Sequence, residues 1–162
     1  MAKKPAASDR LQIAGPEPVE SVAAVGGHPL HPVVVPLPIG SFVGAFLCDI
    51  AFARTQDAFW ARGARVLTGA GIVTGLLAGS LGALDFTGRR EVRSHRAAWG
   101  HAGGNLAVLA LSSVSELVRT REARTVPPPA MALSAMSALI LLGTGWLGGE
   151  LSYRDRIGVT RG

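Results

Sequence analysis

Four long stretches of this chain are nearly free of Lys and Arg: Val33–Ala53, Val66–Phe86, Gly100–Val118 and Ala130–Leu151. Each is about 20 residues, the length of a helix crossing roughly 30 Å of hydrocarbon at 1.5 Å per residue. The charges gather in five short blocks between and around them. A soluble chain of 162 residues has no outer layer with which to bury four helices that are apolar all round. The pattern predicts an all-α fold, an integral membrane four-helix up-down bundle.

Composition agrees. Hydrophobic residues make up 48% of the chain and charged residues 17%, against roughly 25% charged in a soluble domain. The net charge of +5 and pI near 10.6 would suggest nucleic acid in a soluble protein. Here most arginines lie in short loops beside the spans, so the expected partner is the lipid bilayer with its anionic headgroups, and not nucleic acid. Cys48 is the only cysteine, which excludes an intrachain disulfide. Residues 1–27 contain no apolar core of a cleaved signal peptide, so the first span is expected to act as an uncleaved signal.

The expected organisation is a flexible N-terminal arm over residues 1–27, a transmembrane domain over 28–153 and a tail over 154–162. His28-Pro29-Leu30-His31-Pro32 predicts a turn or extended cap before the first span, with Pro36 and Pro38 in that span's first turns. Arg54–Arg65 reads as a short loop. Gly71, Gly75 and Gly79 recur every four residues, placing a small-residue face on the second span. No repeat of the soluble kind and no inverted repeat is visible in the sequence. In an up-down bundle both termini and the second loop share one face. That face holds Arg89, Arg90, Arg93 and Arg96, and the positive-inside rule favours it as cytoplasmic.

All four histidines fall on this face: His28 and His31 before the first span, His95 in the second loop and His101 at the start of the third span. Asp85 ends the second span there, and Glu150 the fourth. Ionisable groups at membrane depth point to function. Two ligands suit the cluster. Haem b would take His31 (or His28) and His101 as axial ligands from diagonal helices, with Arg89, Arg90 and Arg93 pairing its propionates. A transition metal ion would take His28, His31, His101 and Asp85 or Glu150. Asn105, four residues after His101, lies on the same helical face and would orient its imidazole. The plainer alternative is that Asp85 pairs with Arg89 and the histidines cap helices. On the opposite face, Asp49 is expected to be neutralised by Arg54 or Arg65, and Glu116 by Arg119. No nucleophile elbow, P-loop or dinucleotide fingerprint is present.

His28-Pro29-Leu30-His31-Pro32, Gly82-Ala83-Leu84-Asp85, His101-Ala102-Gly103-Gly104-Asn105 and Gly145-Trp146-Leu147-Gly148-Gly149-Glu150-Leu151 together resemble the bacterial domain-of-unknown-function family 2231. The resemblance covers nearly the whole chain after residue 26. The chain departs from it at Arg154-Asp155-Arg156-Ile157-Gly158-Val159, where a less charged, glycine-rich tail is expected. The resemblance implies a four-span protein of the bacterial inner membrane. Relatives joined to Rieske-type or cytochrome-type modules imply a redox setting.

The expected function is therefore that of a redox-associated membrane protein, an electron-transfer or accessory protein more than a catalyst. It would bind haem b or a transition metal ion through the histidines and work with a redox protein or larger membrane complex. The alternative is a structural or assembly subunit with no cofactor.

Overall fold

A computed structural model describes residues 17–119 and 123–159. The described residues are mostly helical, with one short hairpin and an isolated bridge between Val19 and Ile157. In the hairpin, β1 (Ala24–Val25) pairs antiparallel with β2 (His28–Pro29). Gly26 and Gly27 form the turn at φ of 57° and 81°. Glycine adopts these left-handed angles without steric cost, and they match the twist of a tight hairpin.

α1 (Leu30–Val34) follows at once and runs through Val35 into α2 (Pro36–Thr55). The first helix thus begins at Leu30, within the segment expected to be a turn or cap. Pro32 is tolerated because it sits in the first turn, where an N–H has no helical acceptor. Pro36 and Pro38 fall in the first turn of α2, as expected. Neither can donate to the carbonyl four residues back, which interrupts the helix near Val35. Bonds from Val35 N to His31 O (3.1 Å) and from Ile39 N to Val35 O (3.3 Å) carry it across.

The expected loop Arg54–Arg65 shrinks to Gln56 and Asp57. Gln56 ends α2 in the left-handed region, and the Asp57 carboxylate caps the next helix by accepting from Phe59 N at 2.8 Å. That helix, α3 (Ala58–Gly88), has 31 residues, about 46 Å at 1.5 Å per residue. A short α4 (Arg90–Ser94), then α5 (Arg96–Val118) and α6 (Pro128–Gly149) follow, and a π-helical turn over Glu150–Arg154 closes the helical part.

The helices pack in a ring. α2 lies along α3 and α5 along α6, while α3 also meets α5 and α6 meets α2. α2 and α5 are therefore diagonal. Large apolar side chains such as Leu47, Val66, Val73, Leu106, Leu139 and Leu142 point outward. The interior is built largely from small and polar groups, among them Ala64, Ala130, Thr68, Ser115 and Ser137. A soluble protein has the reverse arrangement. Leu30–Thr55, Ala58–Gly88 and Pro128–Arg154 are long and apolar enough to cross a membrane. α5 is of comparable length but less apolar, because it carries His101, Asn105, Ser112, Ser113 and Ser115.

Small residues allow the close approach. A Cβ added to Gly71 would lie 2.6 Å from Phe42 Cε1, and one added to Gly75 would meet Leu109 at 2.9 Å. Gly71→Ala is expected to cost about 1–3 kcal/mol through overpacking. The loss reads as a lower unfolding midpoint in detergent, and Phe42→Leu in the same chain should recover part of it.

Candidate functional site

Two polar centres occupy the interior. At the first, His31 projects from α1 and its Nδ1 lies 2.8 Å from the carbonyl of Ala78 on α3. The ring rests on Gly82, where an added Cβ would come within 3.1 Å of Cε1. His101 on α5 makes the same arrangement with α6. Its Nδ1 lies 2.8 Å from the carbonyl of Thr144, and its ring rests on Gly148, where a Cβ would fall 2.9 Å from Cε1.

A carbonyl oxygen can only accept. Both Nδ1 atoms therefore carry a proton, and a neutral ring held this way keeps its lone pair on Nε2. The two imidazoles meet edge to face, with centroids 6.2 Å apart and planes at 87°. Asn105 Nδ2 donates to the His101 carbonyl at 2.8 Å and lies 3.2 Å from His101 Nε2. Its oxygen lies 3.5 Å from the Thr144 hydroxyl. Asn105 thus touches the imidazole one turn before it, as the spacing predicts.

The structure brings together His31, His101 and Asn105. The other residues singled out from the sequence have separate surroundings. His28 is exposed on β2. His95 pairs with Asp155 at 3.2 Å, and Glu150 with Arg154 at 3.4 Å. Arg90 is exposed, and Arg93 donates to the carbonyls of Phe86 and Thr87 at the end of α3. Arg89 is half-buried, with an Nε that has no hydrogen-bond partner among the described residues. Among the described residues no three side chains of His, Cys, Asp or Glu gather closely enough to hold one metal ion.

Asp85 binds the N-terminal segment. Its carboxylate accepts from Ser21 Oγ at 2.8 Å, from Val22 N at 2.6 Å and from Ala23 N at 3.4 Å. A carboxylate in the last turn of a helix faces the negative end of the dipole, and these donors offset that penalty. Val19 then pairs with the tail: Val19 N donates to Arg156 O at 3.0 Å, and Gly158 N to Val19 O at 2.9 Å. Ile157 packs with Val92, Ala98 and Leu151. Residues 17–29 and 155–158 are thereby tied to one end of the helices. The alternation of Pro, Ser and charge before residue 27 carries no sign of this docking.

The second centre joins the other ends of α2 and α5. Asp49 is fully buried, and Arg119 binds it with both terminal nitrogens, Nη1 to Oδ1 at 2.9 Å and Nη2 to Oδ2 at 2.7 Å. Nη2 also donates to Ser134 Oγ at 2.9 Å. The partners expected from the sequence are exchanged. Glu116 accepts from Arg65 Nε at 3.0 Å, and neither Arg54 nor Arg65 takes Asp49. The reason is local. Arg119 continues the buried stripe of Val108, Ser112 and Ser115 on α5, so it enters the bundle, whereas Glu116 stands beside that stripe and faces Arg65.

A model of the family described as predicted membrane protein (DUF2231) matches residues 27–161. The chain belongs to this family. It is accordingly a membrane protein, and its apolar outer surface contacts the lipid bilayer. The match spans both polar centres and the four motifs that carry the resemblance in sequence. No curated protein and no solved structure matches the chain.

Removing either member of the buried pair strands a charge. Arg119→Ala is expected to destabilise the protein by about 3–5 kcal/mol, measurable as loss of folded material in detergent. Asp85→Ala should leave the helices intact and speed amide exchange over residues 17–23, read by hydrogen-exchange mass spectrometry.

Proposed function

We propose that the protein is a four-span, up-down bundle of the bacterial inner membrane that binds a redox group between His31 and His101. The carrying observation is the 6.2 Å imidazole pair with both Nδ1 atoms tethered to carbonyls of neighbouring helices. That tether is how histidine ligands are commonly oriented, because it fixes the tautomer and presents Nε2 to a metal.

Donor count favours haem b over a bare ion. A zinc site of the usual kind takes four ligands. Haem carries most of its own nitrogen donors and would need only a pair of imidazoles from the protein. His31 and His101 would hold the iron, and the buried Arg89 Nε would donate to a propionate. When bound, the group would supply one-electron transfer. The chain's own residues orient the imidazoles through Ala78 and Thr144. Asn105 Nδ2 lies 3.2 Å from the His101 Nε2 that would hold the group. A transition metal ion held by the same two imidazoles and completed by outside ligands is the lesser form of this proposal. Electrons would pass to a quinone or a partner redox protein at the histidine end.

The same geometry supports a reading of four spans. His31 and Asp49 are 18 residues apart, as are His101 and Arg119, about 27 Å at 1.5 Å per residue. That is close to the roughly 30 Å thickness of the hydrocarbon core. α5 would be the least apolar span, sheltered by its neighbours in the ring.

The test is an absorption spectrum of detergent-purified protein, oxidised and then reduced with dithionite, together with metal analysis. The expected result is a Soret band that moves on reduction, with sharp α and β bands, absent in His31→Ala and in His101→Ala. A featureless spectrum and no bound metal, from folded protein made with ample haem, would overturn the binding proposal and leave a structural role.

A further inference from the structure

The buried positions of the four long helices repeat. In α2 they include Pro38, Phe42, Ala45 and Asp49; in α5, Val108, Ser112, Ser115 and the cap Arg119 follow, each 70 positions later. In α3, Ala64, Thr68, Gly71, Gly75 and Ala78 are buried; in α6, Ala130, Ser134, Ser137, Leu141 and Thr144 follow, each 66 positions later. The two offsets differ by four because Ala130 follows Arg119 at four fewer positions than Ala64 follows Asp49. The offsets hold at the histidines as well. His31 and His101 are 70 apart, their carbonyl partners Ala78 and Thr144 are 66 apart, and so are the glycines beneath them, Gly82 and Gly148. A short sequence echo survives in Gly79-Ser80-Leu81-Gly82 and Gly145-Trp146-Leu147-Gly148.

The packing has the same symmetry. α2–α3 and α5–α6 are the two intimate pairs, and α3–α5 and α6–α2 are the two looser ones. The histidines meet at one end of α2 and α5, and Asp49 meets Arg119 at the other, so these two helices run the same way.

We infer that the protein is one helical hairpin duplicated within a single chain, with a two-fold axis along the bundle and two sites on that axis. One site kept the same residue in both copies and forms the imidazole pair. The other diverged into opposite charges. In the second site like charges would meet if a hairpin paired with its own kind, Asp against Asp or Arg against Arg. The Asp49–Arg119 pair therefore selects pairing between unlike halves, the configuration a single chain provides. For the histidine site, and resting on the function proposed above, the axis calls for one metal centre per chain, with one imidazole from each hairpin as an equivalent ligand.

The hydroxyls give the sharpest test. Ser134 accepts from Arg119, and its two-fold equivalent is the buried Thr68. Exchanging the charges puts an arginine where Thr68 plays the part of Ser134. In the full chain, Asp49→Arg and Arg119→Asp are each expected to abolish most of the folded yield. The double variant should restore yield and unfolding midpoint to near those of the unaltered protein. Ser134→Ala should lower the midpoint of the unaltered chain more than Thr68→Ala does, and in the charge-exchanged chain this order should reverse. A double variant no better than the singles, or a rescued one that still depends on Ser134 and not on Thr68, would overturn the two-fold equivalence. At the histidine end, His31→Ala and His101→Ala should remove the Soret band to the same extent. Loss in only one of them would overturn the equivalence of the ligands. A rescued charge exchange in a protein without any Soret band would support the duplication while overturning the binding.

Discussion

The ion pair between Arg119 and Asp49 is the interaction on which the rest of the interior depends. Two charges with almost no exposure to solvent or lipid are stable only when each satisfies the other. The bidentate geometry and the added Ser134 contact meet that condition. The pair joins the diagonal helices α2 and α5, which also share the apolar core of Phe42 and Val108. It also draws in α6 through Ser134. Its strength comes from the same low dielectric that would make either member alone costly.

Around it the helices are held by closeness more than by apolar bulk. Lipid chains are as apolar as leucine, so burying leucine inside a membrane bundle gains little. The chain accordingly turns its leucines and valines outward and fills its interior with Gly, Ala, Ser and Thr. Phe42 over Gly71 and Thr144 against Gly104 show the result: side chains of one helix seated on the bare backbone of another. Serine pairs such as Ser112 with Ser137, 3.3 Å apart, satisfy polar atoms that have no water to turn to. The histidines use the same device. Each rests on a glycine and binds a backbone carbonyl on the adjacent helix, which gives both rings a defined direction.

The end of the bundle that carries the histidines is also where residues 17–29 and 155–158 are tied down. Asp85 gathers Ser21, Val22 and Ala23, and Val19 bridges to the tail beside Ile157. The charged tail segment has a structural place. Asp155 pairs with His95, and Ile157 fills an apolar pocket beside α4 and α5. Of the four histidines, His95 and His28 thus belong to this cap and its hairpin, while His31 and His101 face each other between the helices.

By itself the sequence determined the class of protein. Runs of apolar residues of the right length leave a short chain no folded state but helices in lipid, and local physics decides that. It also placed His31, His101, Asp49 and Arg119 near helix ends, because periodicity and charge fix where helices stop. It showed the His101–Asn105 contact, because residues four apart share a face whatever the rest of the chain does. Tertiary structure alone decided who meets whom across helices. Asp49 takes Arg119 and not Arg54, because Arg119 lies on the buried face of α5 while Arg54 is exposed on α2. Asp85 takes the N-terminal segment and not Arg89, because residues more than 60 positions away fold back to it. The two-fold relation between the hairpins was hidden for the same reason. It lies in which positions are buried, and burial at a given position is a property of the assembled helices, since Phe42 and Ser112, or Asp49 and Arg119, share a place without sharing a chemistry.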